Sequence, residues 1–323
     1  MTSSRLFDSL KKSLTPMEPF FKTAKESIKR RSQVFSEEKE RQRNLVVRAE
    51  KIEVCYKGLT EESTMLMNKQ ISTPYDCIRH LGEDLMKVSA IAEVNGEPWD
   101  MHRPIESDCE LKLLHFHSLD PTVANKAFWR SGSFLLGAVI ELAFREEIPV
   151  VLHSFPAPNV RSGSFVYDAY IGVESWQPSG EEMRQLSAAF ARLAVEDLPF
   201  ERLEVNEKVA KELFKDNQFK MAQIPKICED HGSITVYRVG EHVDISRGPM
   251  ISSSSLFGRV AVSSIHLLNS DIPNLFRFQG VAIPKQLMLN HFAWGIVQER
   301  SKHLNPCRIP GSQISLQQAS IAS

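Results

Sequence analysis

Several side chains in this sequence are of types that do chemistry, and their spacing decides what they could do. His115 and His117 flank Phe116, which on a strand puts both imidazoles on one face at a spacing that suits a metal. No third ligand stands near them in the sequence, so two histidines at a strand end is the simpler reading. The serine run Ser252–Ser255 has no evident base or acid partner and reads as a loop rather than a nucleophile. Trp129 beside Arg130 could stack on a base or on that guanidinium, although anchoring a helix face is the default role. Cys55, Cys77, Cys109, Cys228 and Cys307 are scattered, odd in number and form no C-x-x-C pair. That argues against a disulfide framework or a Cys-rich zinc site and suits a reducing compartment. Neither a Walker loop nor a dinucleotide fingerprint is present, and Gly248-Pro249 is a turn signal. No cofactor is expected.

The elements that would position these residues fall into two blocks of α+β character. Lys51–Tyr56 alternates like a strand, and Thr64–Ile71 could be its hairpin partner. Thr73 as N-cap, Pro74 at the first helical position and Asp76 three residues after the cap start a helix. Its apolar face is Ile78, Leu81, Leu85 and Val88. Ala90–Val94, the turn at Asn95-Gly96 and Glu110–Phe116 complete a small mixed-sheet domain over 51–117. A larger block follows over 118–305. Asn125–Glu146 reads as a long helix with Phe128, Gly132, Leu135, Val139 and Leu142 on one face, its glycines Gly132 and Gly137 allowing close packing. Strands are expected near Val150–Phe155, Ser164–Gly172, Ile234–Val239, Val260–Ile265 and Gly280–Ile283. Helices are expected at Gly180–Val195 and Asn206–Lys215.

A chain of 323 residues suggests roughly two domains. At 42% hydrophobic and 24% charged residues, the composition excludes a disordered or fibrous chain. The longest apolar run, Phe134 to Ile140, falls far short of the roughly 20 residues that span a bilayer, so no membrane span is expected. The net charge of −1 conceals an asymmetry: residues 1–50 hold 12 basic and 7 acidic residues, leaving the remainder at −6. Residues 1–32, with Leu6, Phe7, Leu10 and Leu14 at helical spacing among basic and serine residues, resemble a mitochondrial transit segment. Residues 33–50 read as a charged arm, either a solvated linker or an extended segment touching phosphates through Arg41, Arg43 and Arg48. Arg300 and Lys302 are further candidate phosphate contacts, before a polar tail over 306–323.

The wording of the sequence adds to this. From Ser72 to Phe116, STPYDCIRHL and VNGEPWDMHRPIESDCELKLLHF resemble the TGS domain at the front of threonyl-tRNA synthetases, a ubiquitin-like β-grasp module found in RNA-associated proteins. AFWRSGSFLLG, DLPFERLEV, AKELFKDNQFKM, VYRVGEHVDISRGP and FQGVAIP follow in the order of their counterparts in the editing domain of the same enzymes. The resemblance covers about Lys51 to Ile283. It implies the fold class: α+β, a small ubiquitin-like β-grasp (TGS) domain followed by a larger α+β domain like the threonyl-tRNA synthetase editing domain.

The departures bear on chemistry. Where the editing family has two histidines one helical turn apart, this sequence has Arg130 and Phe134. Where the family has a cysteine and, four residues on, a histidine, it has Ser246 and Met250. A guanidinium and a benzyl ring cannot act as imidazole does, and a hydroxyl and a thioether are poor replacements for thiolate and imidazole. Lys220 and Asp244 match the family's pocket but read as structural or surface charges, without their chemical partners. Only about 40 residues follow FQGVAIP, too few for an aminoacylation core. With AEKIEV, ISTPY, GEPWDM and RFQGV, the sequence resembles a family of mitochondrial large-ribosomal-subunit proteins derived from such a synthetase. That resemblance implies a non-catalytic scaffold in the mitochondrial matrix, binding large-subunit ribosomal RNA and neighbouring ribosomal proteins, with no catalytic residue, metal or small-molecule substrate. The alternatives are a free-standing deacylase of mischarged transfer RNA or an RNA-binding regulator outside the ribosome.

Overall fold

A computed structural model describes residues 24–58 and 62–308. The chain enters through a helix, α1 (Ala24–Asn44), where the sequence suggested the end of a transit segment and a solvated or extended arm. The helix has few apolar residues, and its contacts explain why periodicity misses it. Ile28 and Phe35, seven residues apart, are its buried apolar anchors. Charged pairs do the rest: Arg30 to Asp216 at 2.8 Å, Lys39 to Glu201 at 2.6 Å, and Arg31 to Glu141. The guanidinium of Arg238 lies 4.6 Å over the Phe35 ring. Residues 24–32 of the expected transit segment thus belong to a packed helix; the rest of that segment, and residues 309–323 of the expected tail, lie outside the described residues.

The first module is a five-stranded sheet in the order β2-β1-β5-β3-β4, with β1 (Lys51–Lys57) parallel to β5 (Cys109–Leu114). The neighbouring pairs, β1 with β2 (Glu62–Asn68), β3 (Ile91–Val94) with β5, and β3 with β4 (Glu97–Trp99), are antiparallel. Helix α2 (Pro74–Leu81) starts on the expected capping box: Thr73 Oγ1 accepts the Asp76 N–H at 3.2 Å, and the Asp76 carboxylate accepts the Thr73 N–H at 3.0 Å. The helix does not run on to Val88. Gly82, at φ 144°, ends it, and a short α3 (Glu83–Val88) follows. Asn95 and Gly96 both have positive φ, the geometry of a two-residue hairpin turn, and this produces β4.

The second module contains two antiparallel sheets. One is β11-β12-β7-β6, formed by β6 (Val150–Ser154), β7 (Phe165–Ile171), β11 (Phe257–Leu267) and β12 (Leu275–Pro284); the other is β10-β9-β8, formed by β8 (Glu201–Val205), β9 (Ile234–Val239) and β10 (His242–Ile245). Helix α4 (Thr122–Ala143) lies against the larger sheet. A Cβ on Gly132 would sit 2.8 Å from the Phe165 ring and one on Gly137 2.7 Å from Tyr167, so glycine is what lets the helix approach. Phe134, Leu136 and Ile140 are buried as well, whereas Leu142, expected on the packed face, is exposed near the helix end. Helices α5 (Gly180–Val195), capped by Ser179 and Glu182, and α6 (Glu207–Phe214), capped by Asn206, follow the sequence reading. Two helices were not legible. One is α7 (Gln218–His231), which contains Pro225 and buries little but Lys220 and Ile224; the other is α8 (His291–Ser301), capped by Asn290, with Leu289 and Trp294 in one small apolar cluster.

Candidate functional site

The four replaced positions meet where α4 faces the chain that follows β10, and each has a packing or backbone role. Phe134 is fully buried, edge-on to His242 at 4.9 Å, Phe200 at 6.0 Å and Tyr237 at 6.3 Å. Met250 is fully buried too, with its sulfur 3.5 Å from Ser131 Oγ, and Ser131 in turn accepts the Ile251 N–H at 3.0 Å. Arg130 donates to the Pro249 carbonyl at 3.0 Å, and Ser246 Oγ accepts the Gly248 N–H at 3.3 Å. Burial lowers the pKa of Arg130. Trp129 packs edge-on to Phe165 at 5.7 Å, the helix-face anchor rather than a free stacking platform.

The first module closes this region from outside. Asp100, 4% exposed, accepts the Tyr237 hydroxyl at 2.9 Å and the Met250 N–H at 2.8 Å, with Arg202 at 3.7 Å. Burial pushes the Asp100 carboxyl above its ordinary range, and burial beside Asp100 pushes the Tyr237 phenol well up. A ring nitrogen of His102 lies 2.9 Å from the Ser252 carbonyl, and the Ser252 N–H reaches the Ala90 carbonyl at 2.8 Å. Gly248 has φ 66° and a Cβ there would collide with the Tyr237 hydroxyl, so this loop packs only with glycine at that position. The serine run is structural: Ser254 Oγ accepts the Leu198 N–H at 2.9 Å, and Ser253 donates to the Asp197 carboxylate, a partner the sequence did not reveal.

Lys220 and Asp244 come together deep in the second module, 2% and 1% exposed and 2.6 Å apart. Their third member is Tyr167 of β7, which donates to Asp244 and receives Lys220 Nζ at 3.2 Å. Asn217 caps α7 and donates to the Leu152 carbonyl at 2.8 Å, which seats Lys220 in the first helical turn. Asp244 also accepts the Ile245 N–H at 2.7 Å. Burial, then the charge and hydrogen bond of Asp244, raise the Tyr167 phenol well above its usual range. His153 packs 4.9 Å from the Phe219 ring; burial and Lys220 push its pKa down to about 4. Each charge is compensated inside the core, so the trio can hold three elements together but presents no accessible base. A second buried pair that sequence reasoning missed, Arg277 with Asp168 at 2.8 Å in two parallel hydrogen bonds, ties β12 to β7. Arg277 also holds the Asn305 and Cys307 carbonyls, extending the packed chain past 305.

Two clefts touch these residues. One, of about 60 Å³, lies between α1, α4 and α6 and is lined by Ser27, Arg30, Glu141 and Asn217. The other, about 10 Å³, adjoins Trp129 and Ser133. Small-molecule pockets run to several hundred Å³. Among the described residues no group of three metal-ligating side chains is present, and His115 Nδ1 accepts the His117 N–H at 3.2 Å. No helix among them is long and apolar enough to cross a membrane. Of the expected phosphate contacts, Arg41 is paired with Glu38 at 2.7 Å and Lys302 with Glu299 at 2.5 Å, and Arg300 donates to the Arg161 carbonyl at 3.2 Å. Arg43 and Arg48 are exposed and form no ion pair among the described residues.

Comparison with known proteins follows the same division. The TGS domain family matches residues 64–115. Over 302 residues the chain is 47% identical to large ribosomal subunit protein mL39 of Drosophila melanogaster, spanning 92% of this chain and 91% of that protein. It belongs to the mL39 family. Human cytoplasmic threonine–tRNA ligase 2 is 30% identical over 75% of the chain, and the Thermotoga maritima threonine–tRNA ligase 31% identical over 68%. The chain spans only 29% and 33% of those ligases. The mL39 family thus has the α+β architecture of the front of a threonine–tRNA ligase, and in this member the four departing positions are packed or hydrogen-bonded within the fold.

Proposed function

We propose that this chain is a structural constituent of the large subunit of the mitochondrial ribosome, a non-catalytic scaffold that binds ribosomal RNA and neighbouring ribosomal proteins in the matrix. The observation that carries the reading is the near full-length relationship to an mL39 protein. The filled pocket supports it: where an editing enzyme needs an open cleft with accessible acid–base groups, Phe134, Met250 and the Asp100 closure leave packed side chains. A member of a ribosomal protein family, the chain is not an enzyme.

RNA contact is assigned first to Arg43 and Arg48, whose side chains are exposed and form no ion pair among the described residues, at the end of α1 and just beyond it. Arg41, Arg300 and Lys302 would have to loosen existing bonds to reach phosphate. The import address is assigned to residues before Ala24, because Ile28 and Arg31 are buried parts of the fold. Sedimentation of mitochondrial large subunits after a high-salt wash tests the reading. The chain should stay with the particle at one copy each, since packed protein interfaces survive salt that strips purely ionic contacts. Recovery only in the free-protein fractions would overturn it.

A further inference from the structure

One helix has two apolar faces, and among the described residues the fold packs only one of them. In α8, Trp294 is buried against Ala261 and Val281 of the larger sheet, with Leu289 and Val297 beside it. Phe292 and Ile296, four residues apart and so on one helical face, are 79% and 55% exposed. Met288, two residues before the Asn290 cap, is 98% exposed. The patch begins at the seam between the modules, where the Gln286 side chain donates to the Lys87 and Val88 carbonyls at the end of α3. A run of large apolar side chains left in water on a rigid helix marks a protein contact rather than an accident of composition.

The charges around it indicate the partner. Lys285 precedes the patch, Arg259 follows Gly258, on which a Cβ would sit 2.9 Å from the Lys285 Cα, and Arg300 stands four residues after Ile296 on the same helical face. Glu299 is the acidic residue on α8, and Lys302 already neutralises it. On a body that is acidic beyond residue 50, this is a local cationic rim around an apolar centre. Ribosomal RNA would satisfy the rim but would place phosphates and hydroxyls against Met288 and Ile296. We propose that the outer face of α8 docks an amphipathic helix of a neighbouring ribosomal protein, apolar along one face and acidic along its edges. This deepens the ribosomal reading above and rests on it.

The test uses the full chain assembled into large subunits, with a photoreactive phenylalanine analogue at position 292 or 296. Irradiation should yield crosslinks to a helical segment of another protein rich in aspartate and glutamate. Crosslinks to RNA alone, to a second copy of this chain, or to nothing would overturn the proposal. In parallel, Phe292→Asp/Ile296→Asp should keep the wild-type melting temperature, since both side chains face solvent, yet fall at least tenfold in particle occupancy. Unchanged occupancy would overturn the proposal while leaving the ribosomal assignment intact; a wild-type chain absent from the particle would instead refute the assignment itself.

Discussion

Two regions of the second module, one around Phe134 and Met250 and one around Lys220 and Asp244, are built in opposite ways. At positions 130, 134, 246 and 250 themselves stand no imidazole and no thiol, and around Phe134 and Met250 aromatic and thioether packing fills the space, with Tyr237 and Asp100 hydrogen-bonded to each other. Around Lys220 and Asp244 the charges are kept but sealed, each answering the other and Tyr167. The difference teaches that a charged pair is harder to lose stepwise than a set of ligands. Removing one member of a buried pair strands the other, whereas a histidine can become a phenylalanine with a gain in apolar burial. Stability alone is thus a sufficient reason to keep Lys220 and Asp244 together.

The largest expected effect comes from breaking that pair. Lys220→Met should cost about 3–5 kcal/mol in denaturant unfolding by leaving Asp244 buried and unpaired, and the triple change Tyr167→Phe/Lys220→Met/Asp244→Leu should recover most of it. If single and triple variants were equally destabilised, the pair would not be the reason for its own retention. On the packed side, Phe134→Ala should cost about 3–4 kcal/mol by opening a cavity among Phe200, Tyr237 and His242. Phe134→His should cost less, about 1–3 kcal/mol, and should restore no hydrolysis of mischarged transfer RNA.

The pH dependence is next in size. His153 has a folded pKa of about 4, below its ordinary value of 6.5, because burial and Lys220 disfavour the imidazolium. Its contribution is present above pH 6.5 and is lost as the pH falls towards 4, where the unfolded chain binds the proton and the folded one resists it. The loss across that window should be about 2–3 kcal/mol, and His153→Leu should flatten it. The smallest effect on stability is expected outside both regions. Arg43→Ala/Arg48→Ala should leave the melting curve unchanged while lowering the salt dependence of RNA binding by about 1–2 in log–log slope.

How much was legible depended on whether a contact was local. The Thr73–Asp76 capping box, the glycines of α4 and helix α5 follow from spacing alone, because their partners are within a few residues or are fixed by helix geometry. Helix α1 was not legible: its two buried apolar anchors, Ile28 and Phe35, are too few to make a stripe, and its charged partners Glu141, Glu201 and Asp216 lie more than 100 residues away. Helix α7 was obscured by Pro225 and by a lysine at one of its two buried positions. In the site, the replacement of four residues was visible in the sequence, but the closure of the space by Asp100, 150 residues from Met250, was not. Nor was Tyr167, which converts two matching charges into a sealed trio.

The central claim is that the fold is kept for assembly and the chemistry is gone. Replacing the endogenous chain with Tyr167→Phe/Lys220→Met/Asp244→Leu tests it directly, with large-subunit abundance and organelle translation measured together. Both should stay at wild-type levels, because the variant keeps the shape while removing the Lys220–Asp244 charges together with the Tyr167 hydroxyl. Normal particle abundance with failed or error-prone translation would contradict it.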